Sequence, residues 1–300
     1  MMDGRRQETL TTPGPLALRL RVPAGDVSIE TRDGAETTVD VEARRADDGT
    51  HAAVAETRIE LRERGGVGGH ELEVDVPPRS GSGGLGFLFG RSAEVRVRIV
   101  CPHGVQLDVR TKSADTEARG RFADVEIETV SGDVDVRDAD GGARVRAVSG
   151  DIRLGRVGGA ADLQTVSGDV LVEFVGGPAT LQSVSGDLLL RDAASSVTAN
   201  SVSGDQRIEA VREGTFAAHS VSGDVRVGIR RGSRVWIDAG SRSGDVTSEL
   251  EVRESRPETG GPLVELRIQT LSGDVDIVRA AAPAASAAVA RPPAAGELPE

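Results

Sequence analysis

Large rings are almost missing from this chain: 300 residues carry five Phe, one Trp and no Tyr. A core of that size ordinarily leans on aromatic side chains. The interior here must be filled by Val, Leu, Ile and Ala, which suits a thin, repetitive core, and stacking on sugars is disfavoured. Cysteine is reduced to Cys101, which excludes an internal disulfide. Positive charge is short: 36 Lys+Arg stand against 48 Asp+Glu, a net charge of −12. That balance argues against non-specific binding to DNA or anionic membranes, where basic patches supply most of the affinity. No stretch approaches the ~18 consecutive apolar residues of a membrane-spanning helix, so no integral membrane segment is expected. Residues 1–14 have no apolar signal region, which points to a cytoplasmic chain.

What the chain has in excess is glycine, 38 in all, and one repeated tripeptide. Ser-Gly-Asp begins at Ser131, Ser149, Ser167, Ser185, Ser203, Ser222, Ser243 and Ser272, with intervals of 18 residues four times, then 19, 21 and 29. A degenerate copy, Ser113-Ala114-Asp115, lies 18 residues before the first. Counting from each Ser as position 1, position 4 reads Val134, Ile152, Val170, Leu188 and position 6 reads Val136, Leu154, Val172, Leu190. Positions 13 and 15 repeat Ala143, Ala161, Ala179 and Val145, Leu163, Leu181. Position 18 adds a fifth apolar column, Val148, Val166, Val184, Val202. Two stretches of period-two alternation per unit, separated by Gly-Gly and by Ser-Gly-Asp, predict strand, turn, strand, turn. One unit cannot bury its apolar face alone. Parallel stacking at about 4.8 Å per coil gives two facing sheets around an aliphatic core.

The predicted fold is all-β: a single-stranded parallel β-solenoid with 18-residue coils, about eight or nine of them, and an irregular N-terminal β cap. Residues 1–14 and the Ala/Pro-rich 280–300 are expected to be disordered. Residues 15–110 form the cap region, where strand-like alternation persists without the period, and 111–279 form the solenoid. Residues 18 apart become neighbours, so outward charges such as Glu126, Arg144 and Asp162 alternate in sign along the stack.

These serial Ser-Gly-Asp-Val units, with Val100-Cys101-Pro102-His103-Gly104-Val105 and the echo Val22-Pro23-Ala24-Gly25-Asp26, resemble a bacterial domain-of-unknown-function group called "putative adhesin". That group is related to head domains of auto-transporter adhesins of the same description. The resemblance spans about residues 15–278 and implies a β-solenoid without an established catalytic activity.

Three candidate sites emerge. The first is a column of Asp133, Asp151, Asp169, Asp187 and Asp205, continued by Asp224, Asp245 and Asp274. Stacked carboxylates about 5 Å apart repel by about 0.8 kcal/mol in water, less than the 1.5–3 kcal/mol or so of a charge-assisted bond to a backbone N–H. The carboxylates can therefore close their own turns without a cation; a cation ladder is the alternative. The second is the Gly-rich loop 77–93 with Phe87, Leu88 and Phe89 as apolar anchors for a partner, or as a plug over the solenoid end. Its G-x-G-x-x-G spacing lacks the helix that phosphate binding requires. The third is an outward apolar group, Leu171 and Leu189 with Phe174 nearby. The four histidines show no metal-ligand spacing, and no nucleophile elbow occurs. No cofactor or catalytic residue is expected. The leading expectation is a non-catalytic interaction module for a protein partner. Self-association through solenoid ends into a polymer is the second, and a glycan-active β-helix enzyme the third.

Overall fold

The computed structural model describes residues 4–64, 69–78, 92–250 and 261–281. Strands run in chain order as β1 (Arg5–Thr11), β2 (Leu16–Arg32), β3 (Glu36–Ala43), β4 (Arg58–Arg64), β5 (Gly69–Asp75), β6 (Glu94–Pro102) and β7 (Val105–Ser131), with one helix, α1 (Asp48–Ala55), between β3 and β4. The regular coils follow as β8 (Val134–Ala139), β9 (Ala143–Ser149), β10 (Ile152–Val157), β11 (Ala161–Ser167), β12 (Val170–Val175), β13 (Ala179–Ser185), β14 (Leu188–Ala193) and β15 (Val197–Ser203). The last are β16 (Gln206–Val211), β17 (Gly214–Ser222), β18 (Val225–Ile229), β19 (Arg234–Ser243), β20 (Val246–Ser248), β21 (Leu263–Ser272) and β22 (Val275–Arg279).

The 18-residue register holds. Val134 lies beside Ile152, and Ile152 beside Val170, in parallel strands β8, β10 and β12. Leu163 sits between Val145 and Leu181 in β9, β11 and β13 of the facing sheet. Positions 4, 6, 13 and 15 are buried throughout these coils, so every apolar rung stacks on apolar rungs above and below. One rung departs from this. Gln206 occupies position 4, fully buried, where its Nε2 donates to Ser201 Oγ (2.9 Å) and the His219 carbonyl (2.8 Å). Outward charges pair across coils as their alternation predicts, with Arg144 Nε 3.3 Å from Asp162 Oδ2.

Position 18 is corrected by the structure. Inward alternation from 13 and 15 continues to 17, a column of small side chains (Ala147, Thr165, Ser183, Ser201) that is buried, and position 18 points outward. The reason is parity: in a strand every second side chain faces the core.

Both ends stack out of chain order. β2 pairs with β5 and β6 on one side and with β7 on the other, so a coil from early in the chain lies inside later ones. At the far end β21 lies between β17 and β19, and β22 between β18 and β20. The final coil in sequence is thus one rung inside the stack.

The N-terminal region corrects two expectations. Residues 5–11, placed by their polarity in a disordered terminus, form β1, paired antiparallel with β3, which in turn pairs antiparallel with β6. Pairing satisfies the backbone of this polar segment, and its alternate side chains take up cross-strand ion pairs such as Arg5–Asp40. The cap also contains a helix where only strands were expected. Asp47 starts it: Oδ1 accepts the Thr50 N–H at 2.9 Å and Oδ2 accepts the Thr50 hydroxyl at 3.0 Å. Ala53 and Val54 of α1 are buried in the core cluster and close this end of the solenoid. The C-terminal tail from 282 on lies outside the described residues.

Candidate binding ridge

The Ser-Gly-Asp corners set the geometry of one long edge. Each Gly takes a left-handed backbone, with φ of 136° at Gly168. A Cβ at Gly168 would lie 2.2 Å from the carbonyl oxygen of Gly150 in the coil below, so no other residue fits that corner without displacement. The Asp that follows does not close its own turn. Its Oδ1 accepts the backbone N–H of the Asp in the next coil: Asp133 from Asp151 (2.9 Å), Asp151 from Asp169 (3.0 Å), Asp169 from Asp187 (2.9 Å) and Asp187 from Asp205 (2.8 Å). The chain of bonds continues in spatial order through Asp224, Asp274 and Asp245. One oxygen of each carboxylate is therefore committed to its neighbour. Among the described residues no group of three or more His, Cys, Asp or Glu side chains converges on a metal position.

Immediately before each corner lies the outward column that the repeat pattern had grouped with the core. Val130, Val148, Val166, Val184, Val202, Val221 and Leu271 are each 47–50% exposed. At about 4.8 Å per coil they form a ridge roughly 29 Å long. Cations bound it. Lys112, the only lysine, precedes Ser113 one coil before Val130, and Arg242 follows Leu271 in the outermost coil. Alongside runs a groove of about 520 Å³. Its far wall is a column of polar side chains at position 16, Arg146, Gln164, Gln182, Asn200 and His219, and its floor is the small position-17 column. A strip of apolar rungs thus faces a strip of mostly uncharged hydrogen-bonding rungs, both in register with the coils.

The other candidates are not part of this edge. Leu171 and Leu189 are directly paired on the opposite sheet and only partly exposed. Phe174 lies under the Arg156 guanidinium, 4.6 Å from the ring centroid, so a cation covers the ring that would have extended the patch. Phe87, Leu88 and Phe89 lie outside the described residues. Cys101 is fully buried, and burial pushes its thiol up to about 12. His103 Nδ1 lies 2.7 Å from the Thr31 hydroxyl, far along the chain from His219 in the groove wall. The ridge itself was legible. Positions 13 and 15 face inward, so 17 must and 18 cannot, and a conspicuous valine at an outward position is the signal.

A family model described as Toastrack DUF4097 matches residues 35–278. The chain belongs to this Toastrack family. The matched span takes in the N-terminal helix, every regular coil and the intercalated final coil. Among solved structures, the Toastrack chain is similar to a "putative adhesin" from Bacteroides fragilis NCTC 9343 at 10% identity, covering 91% of this chain and 96% of that one with a TM-score of 0.48. It is likewise similar to a "putative adhesin" from Parabacteroides merdae ATCC 43184 (12% identity, 92% and 96% covered, TM-score 0.44). A third is a "putative lipid binding protein" from Parabacteroides distasonis ATCC 8503 (12% identity, 92% and 97% covered, TM-score 0.38). No curated protein matches the chain.

Proposed function

We propose that this Toastrack solenoid is a non-catalytic interaction module that holds a protein partner along the valine ridge. The observation that carries this reading is the ridge itself: seven half-exposed aliphatic side chains in strict register. Isolated exposed valines are ordinary on any surface, whereas a contiguous apolar strip is a mark of interaction. Covering each half-exposed valine contributes about 1 kcal/mol, and the amide column of Gln164, Gln182 and Asn200 can pair with a polypeptide backbone. The partner surface that fits is elongated and apolar, with acidic groups near its ends to meet Lys112 and Arg242. The net charge of −12 argues against a polyanion such as nucleic acid.

The test is a triple variant, Val166→Asp, Val184→Asp and Val202→Asp, at sites whose exposure lets the fold tolerate polar side chains. Capture from a lysate of the native cell, followed by mass spectrometry, is expected to lose the wild-type partner while circular dichroism stays β-rich. Equal capture by wild type and the folded triple variant would remove the ridge as the docking surface.

A further inference from the structure

The far end of the solenoid is an unfinished coil. Among the described residues, β19 pairs only with β21 and β20 only with β22. The Arg234 N–H donates to the Pro262 carbonyl at 2.9 Å, which sets the alternation along β19. Even-numbered residues turn their N–H and C=O groups toward β21, and Val235, Ile237 and Ala239 turn theirs the other way, where no strand follows among the described residues. The side chains of these three pack, half-buried, on the last layer of the core. Between them Trp236, the only tryptophan, is 49% exposed.

The pentad Arg234-Val235-Trp236-Ile237-Asp238 is complementary to itself when read in reverse. We propose that two copies of this chain join tail to tail through β19, antiparallel, about a two-fold axis at Trp236. In that register Val235 faces Ile237 of the second copy as a hydrogen-bonded pair, using the outward N–H and C=O groups. Trp236 faces its counterpart, and Arg234 faces Asp238 twice, at the non-hydrogen-bonded positions where side chains approach closest. Sliding the register by two residues, the smallest slip that keeps the ladder bonded, sets Trp236 against Asp238 and loses both ion pairs. Sliding by four sets Asp238 against Asp238 and Arg234 against Arg242. Charge therefore selects one alignment. Growth stops at two, because among the described residues the opposite end offers no matching edge. β4 there carries an exposed ion-pair cluster of Arg58, Glu60 and Arg62, a charge pattern that blocks strand addition. An isologous contact closes on itself.

The ridge plays no part in this contact, so the two readings fail separately. Sedimentation across a wide concentration range is expected to show monomer and dimer only, with Trp236 emission shifting to the blue as dimer forms. Asp238→Arg sets like charges opposite each other at both symmetry-related pairs and is expected to weaken dimerisation about tenfold or more. The double exchange Arg234→Asp with Asp238→Arg restores both pairs and the dimer. Trp236→Glu, at the centre, is a second disrupting variant. A wild-type chain that stays monomeric at every concentration would overturn the proposal. So would species larger than a dimer, disrupting variants that dimerise like wild type, or a folded double exchange that remains monomeric.

Discussion

The two ends of this solenoid solve the same problem differently. At the N-terminal end α1 buries Val54 and Ala53 against the last coil, and antiparallel β1, β3 and β4 continue the sheets into edges that bristle with Arg and Glu. At the C-terminal end, among the described residues, the sheets stop at β19 and β20, whose side chains are half-buried or exposed. Aliphatic stacking is the same along the whole length, so it cannot be what distinguishes the ends. The distinction lies in what is laid over the final rung. A solenoid closed at both ends is confined to one molecule, and one open at both can polymerise without limit. Closure at a single end allows at most a pair.

The largest test of this contrast is to unmake the N-terminal closure. Val54→Asp places an unpaired charge at a fully buried site of α1 and is expected to cost about 4 kcal/mol, read as a lowered urea midpoint. If α1 is what limits assembly, the variant also grows beyond a dimer in light scattering. Next, one substitution can be compared inside the stack and at its open end. Gly168→Ala and Gly244→Ala both force a Cβ within 2.2 Å of a carbonyl oxygen in a neighbouring coil, at φ of 136° and 155°. Gly168 is held by coils on both sides and the change is expected to cost about 3 kcal/mol, whereas Gly244, in the outermost coil, can move away at about 1 kcal/mol. Equal losses in denaturation midpoints would mean that the last coil is as tightly held as the interior. The smallest effect concerns pH. Cys101 belongs to the closed end, and burial raises its folded pKa from the ordinary thiol value of 9.0 to about 12. The unfolded chain releases this proton first, so stability is intact below pH 9 and declines as pH rises toward 12, by about 1 kcal/mol at pH 10. Comparing Cys101→Ala with wild type in urea titrations from pH 8 to about 10.5 isolates this contribution; parallel curves would show that the thiol is not the titrating group.

Much of the fold was legible because repetition makes a local rule global. Once Val134, Ile152 and Val170 recur every 18 residues in a strand-like context, stacking is the one arrangement that buries them all. The stacking order at the ends was not legible, and the reason is the same repetition. Any coil with Ser-Gly-Asp at its corner and aliphatics at positions 4 and 6 can pair with any other, so nothing local distinguishes Asp274 as the neighbour of Asp224 from Asp245 in that role. The long intervals of 21 and 29 residues marked an irregularity without stating its topology. α1 was hidden for a different reason: its eight residues carry little amphipathic signal, and only Asp47 before an Ala-rich run marks its start. The aspartate column was recognised, yet its bond was assigned to the wrong coil, because reaching the next N–H depends on the stacking distance rather than on the turn itself.

The intercalated coil also determines how this molecule would bear a load. In a solenoid stacked in simple chain order, tension on the C-terminus peels the outermost strand, breaking hydrogen bonds one after another like a zip. Here β21 and β22 are gripped between neighbours on both sides. A pull on β22 must draw these strands out of a slot and shear two ladders at the same moment, which resists more force than peeling an outermost strand.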